Sequence, residues 1–328
     1  MNLAKFIRLA NPGSIMQKNK GNGSAILTSL FIMILVAIAA TAMSLRLQID
    51  INRTQLIQDV GELKTAAQAG ELSMINQLIK NGLTFVKASK QNIDPKKLRF
   101  TQPWLKGISV QTDLIDLQSR LNLNNLKNTN QLKSLTLLMT HLIPKQSPQN
   151  AFLLALQTQE WLTKKNPNVT NVSSENYYQH QTPPYYPSHK PFTSISEWRL
   201  VKGITQTVYN RISPYVASLP KSTPINLNSA SKEIIRSLKI NMNDTQVSAI
   251  VKARGKQGFR TLKEALENPL IKALGLKEKE TTLTSNYFLI MSHASSQDID
   301  ITLFTVIKRE ITKEGVGISV IQQTLNTL

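Results

Sequence analysis

The stretch KNKGNGSAILTSLFIMILVAIAATAMSLR, residues 18–46, passes from a basic, glycine-punctuated leader into an apolar run. Residues 24–45 are 22 consecutive positions without a charge. As a helix rising about 1.5 Å per residue, that run covers roughly 33 Å, enough to cross the hydrocarbon core of a bilayer. The apolar part of a cleaved secretory signal is shorter, about 7–15 residues, and ends in a small-residue cleavage site. Here the chain continues instead as RLQIDINRTQLIQDVGELKTAAQ (46–68). Lys5, Arg8, Lys18 and Lys20 precede the run, and no acid does. Positive charge stays on the cytoplasmic side, so the run reads as a single-pass anchor with the bulk of the chain exported.

Gly23 sharpens this reading. A short basic leader ending in glycine, then a small residue and an apolar helix, resembles a prepilin-type signal. Such a signal is cut before the apolar stretch, here between Gly23 and Ser24, so the helix is kept. The helix is expected to continue past the membrane. Leu56, Val60, Leu63, Ala67, Ile75, Leu78 and Ile79 recur at helical spacing between residues 54 and 90 and mark one sticky face.

At 328 residues the chain is long enough for two or three small domains with real cores. It has no cysteine, which excludes disulfides, a zinc ribbon and a catalytic thiol. Lys and Arg number 39 against 20 Asp and Glu, a net +19 that suits anionic partners or a basic solvated surface.

Beyond the long helix, ISVQTDLIDL (108–117) and LNLNNL (121–126) read as strands. Residues 127–161 read as helix, and 164–191, rich in Pro, Ser, Asn and Tyr, as loop. SISEWRLVKGITQTVYNRISPYV (194–216) and INLNSASKEIIRSLKINMNDTQVSAIVKAR (225–254) read as helical. Each gives a short helix, a tight turn and a second helix. Glu197 and Glu233 stand near the first helix starts, where a carboxylate suits the helix dipole. Asn228 or Ser229 is the expected cap of the second copy. The chain then returns to strands at 286–295, 298–311 and 317–325, with Ile299, Ile301, Leu303 and Thr305 alternating. Strands therefore flank a helical block.

The two helical stretches resemble helix-hairpin-helix, or SAM-like, units, and INLNSASKEII resembles the opening of DNA-binding members. Those members use a glycine-flanked turn that lets backbone amides approach a phosphate. Here the turn is KINMND, without glycine, and the first copy has only Gly203. A membrane-anchored helix-hairpin-helix DNA-binding protein is therefore the alternative reading, and no nucleic acid is expected.

Taken in order, the leader with Gly23, QPW (Gln102, Pro103, Trp104), LNLNNL, PPYYPSHKPFTSISEWRLVKGI, INLNSAS and SNYFLIMSHA resemble the type II secretion minor pseudopilin K family, also called general secretion pathway protein K. The resemblance implies an α+β fold: a pilin-like long N-terminal helix on an antiparallel β-sheet, with a large inserted all-α domain of SAM-like units. It implies a leader at 1–23, a transmembrane helix at 24–45, and the pilin-like helix with first strands at 46–126. The inserted domain follows at 127–282, with units at about 127–220 and 224–282, and the C-terminal strands at 283–328. The implied role is to cap the pseudopilus tip and prime its assembly with minor pseudopilins I and J, and H below them, for export of folded proteins across the outer membrane. Prepilin peptidase would be the processing partner. The protein would lie in the bacterial inner membrane, its short N-terminus cytoplasmic and its bulk periplasmic. Leu30 and Leu35 fall on the helix that would meet membrane and partners. Most pilins carry Glu at the fifth mature position; Thr28 stands there, which is characteristic of this family and fits a tip subunit with no neighbour above.

The family resemblance also makes calcium possible in the helical domain. Calcium takes a cluster of carboxylate and carbonyl oxygens, but between Asp116 and Glu197 the only acids are Glu160 and Glu175, with Lys164 and Lys165 between them. No cofactor or metal is therefore expected. No catalytic motif stands out either. His141, His180, His189 and His293 are scattered, and the chain has no phosphate loop, nucleophile elbow or HExxH. The chain is not expected to be an enzyme.

Overall fold

The computed structural model describes residues 22–88, 100–105, 107–164, 172–255, 258–296, 299–312 and 315–327. The leader, residues 1–21, lies outside the described residues. The chain divides into two compact units, Met1–Asp59 and Val60–Leu328. One helix, α1 (Asn22–Ala88), contributes to both.

In the first unit every described side chain from Ser24 to Asp59 is exposed. The uncharged run carries Leu30 at 53% and Leu35 at 49% exposure, with Ile26, Phe31, Ile34 and Val36 comparably open. Among the described residues no apolar partner covers this surface. Its hydroxyls are satisfied along the helix: Thr28 Oγ1 donates to Ser24 O at 2.6 Å, Ser29 to Ile26 O and Thr41 to Ala37 O. That internal satisfaction is what a helix needs where water cannot compete.

The second unit is built on a five-stranded antiparallel sheet in the order β1 (Phe100–Leu105), β2 (Ile108–Asp116), β7 (Tyr287–Ser295), β8 (Asp300–Thr312), β9 (Gly315–Leu325). The second half of α1 packs on one face. Leu63, Ala66 and Ala67 meet Val110, Ala294, Ile301 and Leu303, and Met74 and Leu78 meet Leu114, Phe288, Ile290 and Ile307. Residues 301, 303, 305 and 307 of β8 share that face by strand alternation. The buried stripe differs from the expected one at its ends: Leu56 and Ile79 are exposed, while Ala66 and Met74 are buried. Small residues take the middle because the helix lies close to the sheet. A Cβ on Gly70 would come within 2.4 Å of Thr112 Oγ1 and 2.8 Å of Val110 Cγ1. β1 falls in a stretch that carries no strand signal in the sequence: Pro103 interrupts it and it is an edge.

Between β2 and β7 lies the helical insertion with the largest core of the molecule. It holds α2 (Thr129–Leu142), α3 (Pro148–Leu162), α4 (Val172–Gln179), α5 (Gln206–Ile212), α6 (Lys232–Ser237), α7 (Asp244–Arg254), α8 (Leu262–Glu267) and α9 (Pro269–Lys272). Two short parallel pairs tie its loops, β3 (Leu121–Asn122) with β4 (Val216–Ala217), and β5 (Ile225–Asn226) with β6 (Thr281–Thr282). Most of these helices start on a side-chain cap. Asn128, Ser147, Thr205 and Ser231 each accept from a backbone N–H in the first turn, and Asn243–Gln246 and Thr261–Glu264 form reciprocal capping boxes. The cap of α6 is thus Ser231, not Asn228 or Ser229, because both of those turn inward for the contacts described below.

Three other expectations are corrected. LNLNNL, read as strand, is strand only at Leu121–Asn122 and a 3-10 turn at Leu123–Asn125. The segment read as loop contains α4, and 195–200 is a 3-10 turn rather than α-helix.

Candidate functional site

Two features of the structure stand out: the open apolar helix of the first unit, and the way the helical insertion is fastened to its sheet. The fastening begins at Asp116, the last residue of β2. Its Oδ2 accepts from Ser229 Oγ at 2.5 Å, Ser285 Oγ at 2.6 Å and Asn226 Nδ2 at 3.2 Å, and Oδ1 accepts from Gln118 N at 2.8 Å. One carboxylate thereby gathers donors from three chain segments. Burial pushes its pKa above the ordinary carboxylate value, and the Ser229 and Ser285 hydroxyls pull it back. Arg309 of β8, only 1% exposed, lies near enough to feel that charge, while burial lowers its own pKa. Its Nη2 donates to Ser285 O at 2.6 Å, and its guanidinium lies 5.0 Å from the centre of the Phe288 ring.

Two of the motifs behind the family resemblance, LNLNNL and INLNSAS, hold the loops of the insertion together. In LNLNNL, Asn122 Oδ1 accepts from Leu219 N and its Nδ2 donates to Lys221 O, Asn124 bonds Phe192 through both N–H and C=O, and Asn125 Nδ2 donates to Thr223 O. In INLNSAS, Asn226 Oδ1 accepts from Asn228 N, while Asn228 bonds Phe259 N and O and donates to Leu283 O. These amides satisfy backbone groups of loops that have no ladder to pair with. Gly258 has φ +68, and a Cβ there would lie 2.7 Å from the Asn228 amide, so a side chain at that position would push the staple apart.

The Tyr-rich segment is packing. Trp161 stacks on Phe192 at 6.4 Å and meets Tyr178 edge-on at 5.5 Å; burial raises the Tyr178 hydroxyl to about 12. Tyr178 Oη accepts from Lys202 N at 3.1 Å. Glu197 does more than sit at a helix start. Its Oε1 accepts from Trp161 Nε1 at 3.0 Å and its Oε2 from Thr193 N at 3.2 Å, which joins α3 to the following turn.

The predicted positions do not converge. Leu30 and Leu35 are both exposed, in the first unit; Gly23 and Ser24 lie on the first turns of α1. His180, His189 and His293 bond separately to Asn176 O, Thr163 O and Thr302 Oγ1. Among the described residues no three His, Asp or Glu side chains are grouped to hold a metal ion. In the α6–α7 turn, Asn241 takes φ +59, the backbone conformation a glycine would supply in a phosphate-gripping hairpin.

Two family models of the type II secretion system protein K match residues 119–221 and 225–285, together half of the chain. The chain belongs to the type II secretion system protein K family. It is 26% identical to type II secretion system protein K of Aeromonas hydrophila over 81% of this chain and 86% of that one. It is 28% identical to that of Pseudomonas aeruginosa over 46% of this chain and 45% of that one, so that match spans under half of the relative. A crystal structure of the GspK–GspI–GspJ complex from the enterotoxigenic Escherichia coli type 2 secretion system shares the fold, with a TM-score of 0.67 at 20% identity over 83% of this chain and 99% of that one. These likenesses give the DNA-binding alternative no support, and the hairpin without its glycine points the same way.

Proposed function

We propose that this chain is a minor pseudopilin that caps the pseudopilus tip of a type II secretion system and primes its assembly with the I and J subunits, with H beneath. The observation that carries the reading is the bare apolar helix at 24–45 on a chain whose pilin-like sheet is interrupted by a large helical insertion. An unmatched apolar surface of this kind takes its partners from lipid and from neighbouring helices. The insertion between β2 and β7 adds bulk to one subunit, which suits an end position better than a place inside a tightly stacked filament.

In this reading prepilin peptidase cuts between Gly23 and Ser24, the helix stays in the inner membrane, and the rest of the chain is periplasmic. Four lysines and arginines before the helix and no acids support that orientation. The subunit acts by binding and position rather than by catalysis, in keeping with its scattered histidines. It also works without calcium. In the helical insertion upstream of Glu197 the sequence offers two carboxylates, Glu160 and Glu175, and both oxygens of Glu197 already accept from Trp161 and Thr193. This donor set does not fit a hard cation.

The test is recovery of I and J with the tagged full chain from membranes, for wild type, Leu30→Asp and Leu35→Asp. Wild type should bring both siblings down, and each charged variant should lose most of them. Failure of the wild type to recover either sibling overturns the proposal; unchanged recovery with both variants removes the helix from the interface.

A further inference from the structure

The five-stranded sheet has two edges, and they are built differently. β1 carries Pro103, and its pairing with β2 shifts register between Pro103 and Leu105. Proline and irregular pairing both stop an edge from taking a further strand. β9, reading GVGISVIQQTL, contains no proline and no charge. Its pairing with β8 slips only at Ile321, which stands without a partner between Val320 and Gln322. Among the described residues no strand pairs with its outer side.

The main-chain groups of residues 315–320 can be assigned by direction. Arg309 N donates to Asn286 O, on the β7 side of β8. Bonding direction alternates along an antiparallel strand, so Lys308, Glu310 and Thr312 face β9. Ser319 Oγ donates to Lys308 O at 3.4 Å, in agreement. The partners of those three are Ser319, Gly317 and Gly315. Val316, Ile318 and Val320 lie between them and turn N–H and C=O away from the sheet. Their side chains sit on the α1 face, beside Ile311, Arg309 and Ile307. Val320 is 52% exposed and Ile311 45%. The open edge thus combines alternating donors and acceptors with an apolar row on one side and Gly315, Gly317 and Ser319 on the other.

We propose that β9 accepts a strand from a partner polypeptide: an extended, uncharged segment with apolar side chains at alternate positions, antiparallel to residues 316–320. Only an extended main chain returns donors and acceptors at the strand repeat. A lipid chain has none to give, and a helix has spent its own internally. A charge set against Val316 or Val320 would be desolvated with no counter-charge, since β9 carries none. A second copy of β9 meets the same description but fails on direction. From Leu63 to Leu78 α1 runs alongside β8 from Ile301 to Ile307. Antiparallel self-pairing would point the two α1 helices in opposite directions, whereas on the reading above both copies enter that helix from one membrane.

The test needs no sibling subunit, so its failure leaves the pseudopilin reading untouched. The full chain in lipid nanodiscs is titrated with acetyl-Thr-Val-Thr-Val-Thr-Val-Thr-amide and followed by hydrogen–deuterium exchange. Exchange of the 315–321 segment should slow saturably. Directly opposed residues share a face, so the valine N–H groups bond β9 and the threonine N–H groups point away. N-methylation of the three valines should therefore weaken the effect about tenfold or more, and N-methylation of the inner threonines should leave it nearly unchanged. Val316→Pro removes one outward donor without touching the β8 ladder and should also weaken it about tenfold, with exchange in β7 and β8 unaltered. No slowing at millimolar peptide overturns the proposal, as does equal protection by the N-methyl-valine peptide. Slowing of the same segment that grows with chain concentration and needs no peptide also overturns it, in favour of a second copy.

Discussion

Gly61 and Gly70 lie on the same helix, and the structure gives replacement by alanine opposite signs at the two positions. At Gly61 a Cβ meets nothing within 4 Å, so Gly61→Ala gains only helix propensity, about 0.5–1 kcal/mol. At Gly70 the same atom would lie 2.4 Å from Thr112 Oγ1, 2.8 Å from Val110 Cγ1 and 3.2 Å from Ser292 Oγ. The first contact is about 1 Å short of ordinary van der Waals distance. The neighbours have little room to yield. Thr112 and Ser292 are fully buried and share a hydroxyl hydrogen bond of 3.0 Å across paired strands, and Val110 packs beneath Leu63 and Ala67. Relief requires either breaking that hydroxyl pair or lifting α1 from the sheet. Overpacking of this kind costs about 1–3 kcal/mol. After the propensity gain, Gly70→Ala should destabilise the second unit by about 1–2 kcal/mol. For a unit of this size each kcal/mol moves the midpoint by roughly 2–4 °C. Thermal unfolding followed by near-ultraviolet circular dichroism should therefore show Gly70→Ala melting several degrees below wild type and Gly61→Ala slightly above. If both variants melt together, at or above wild type, α1 does not lie as close to β2 and β7 as described.

Three further outcomes follow from particular contacts. Asp116→Asn turns an amide donor toward groups that are themselves donors and leaves Arg309 without its counter-charge, so urea unfolding should show a loss of about 2–4 kcal/mol; an unchanged midpoint would mean that the junction does not hold the insertion to the sheet. Gln131→Leu should raise stability by about 1–2 kcal/mol, since it removes an unpartnered buried acceptor; a loss of stability would mean that the protein itself satisfies the group. Trp161→Phe removes the donor to Glu197 and also part of a buried ring, so it should cost about 2–4 kcal/mol by the same unfolding assay, whereas a neutral result would mean that neither the bond nor the ring holds α3.

Much of the architecture is legible in the sequence where one physical term dominates. An uncharged run of bilayer length stands out because its length matches a hydrocarbon core, and β8 declares itself through Ile301, Leu303 and Thr305 on one face. Legibility fails where tertiary contact decides. The sheet-facing side of α1 includes Gly70, Ala66 and even Glu71, whose Oε2 accepts from Gln323 Nε2 at 2.8 Å, because distance to the sheet rather than hydrophobicity sets the choice. The cap of α6 moves to Ser231 since Asn228 is already spent on Phe259 and Leu283. The asparagines of LNLNNL read as strand residues but are staples, a role that depends on loops about 70–100 positions away in sequence.

The central claim is that a pilin-type subunit keeps its apolar helix and loses its leader. The most direct measurement is the N-terminal residue of the full protein isolated from cells with and without prepilin peptidase, read by mass spectrometry. The account predicts a chain starting at Ser24 in the first case and an uncut Met1 chain in the second. A Met1 start in both would contradict it and make residues 24–45 a plain signal anchor.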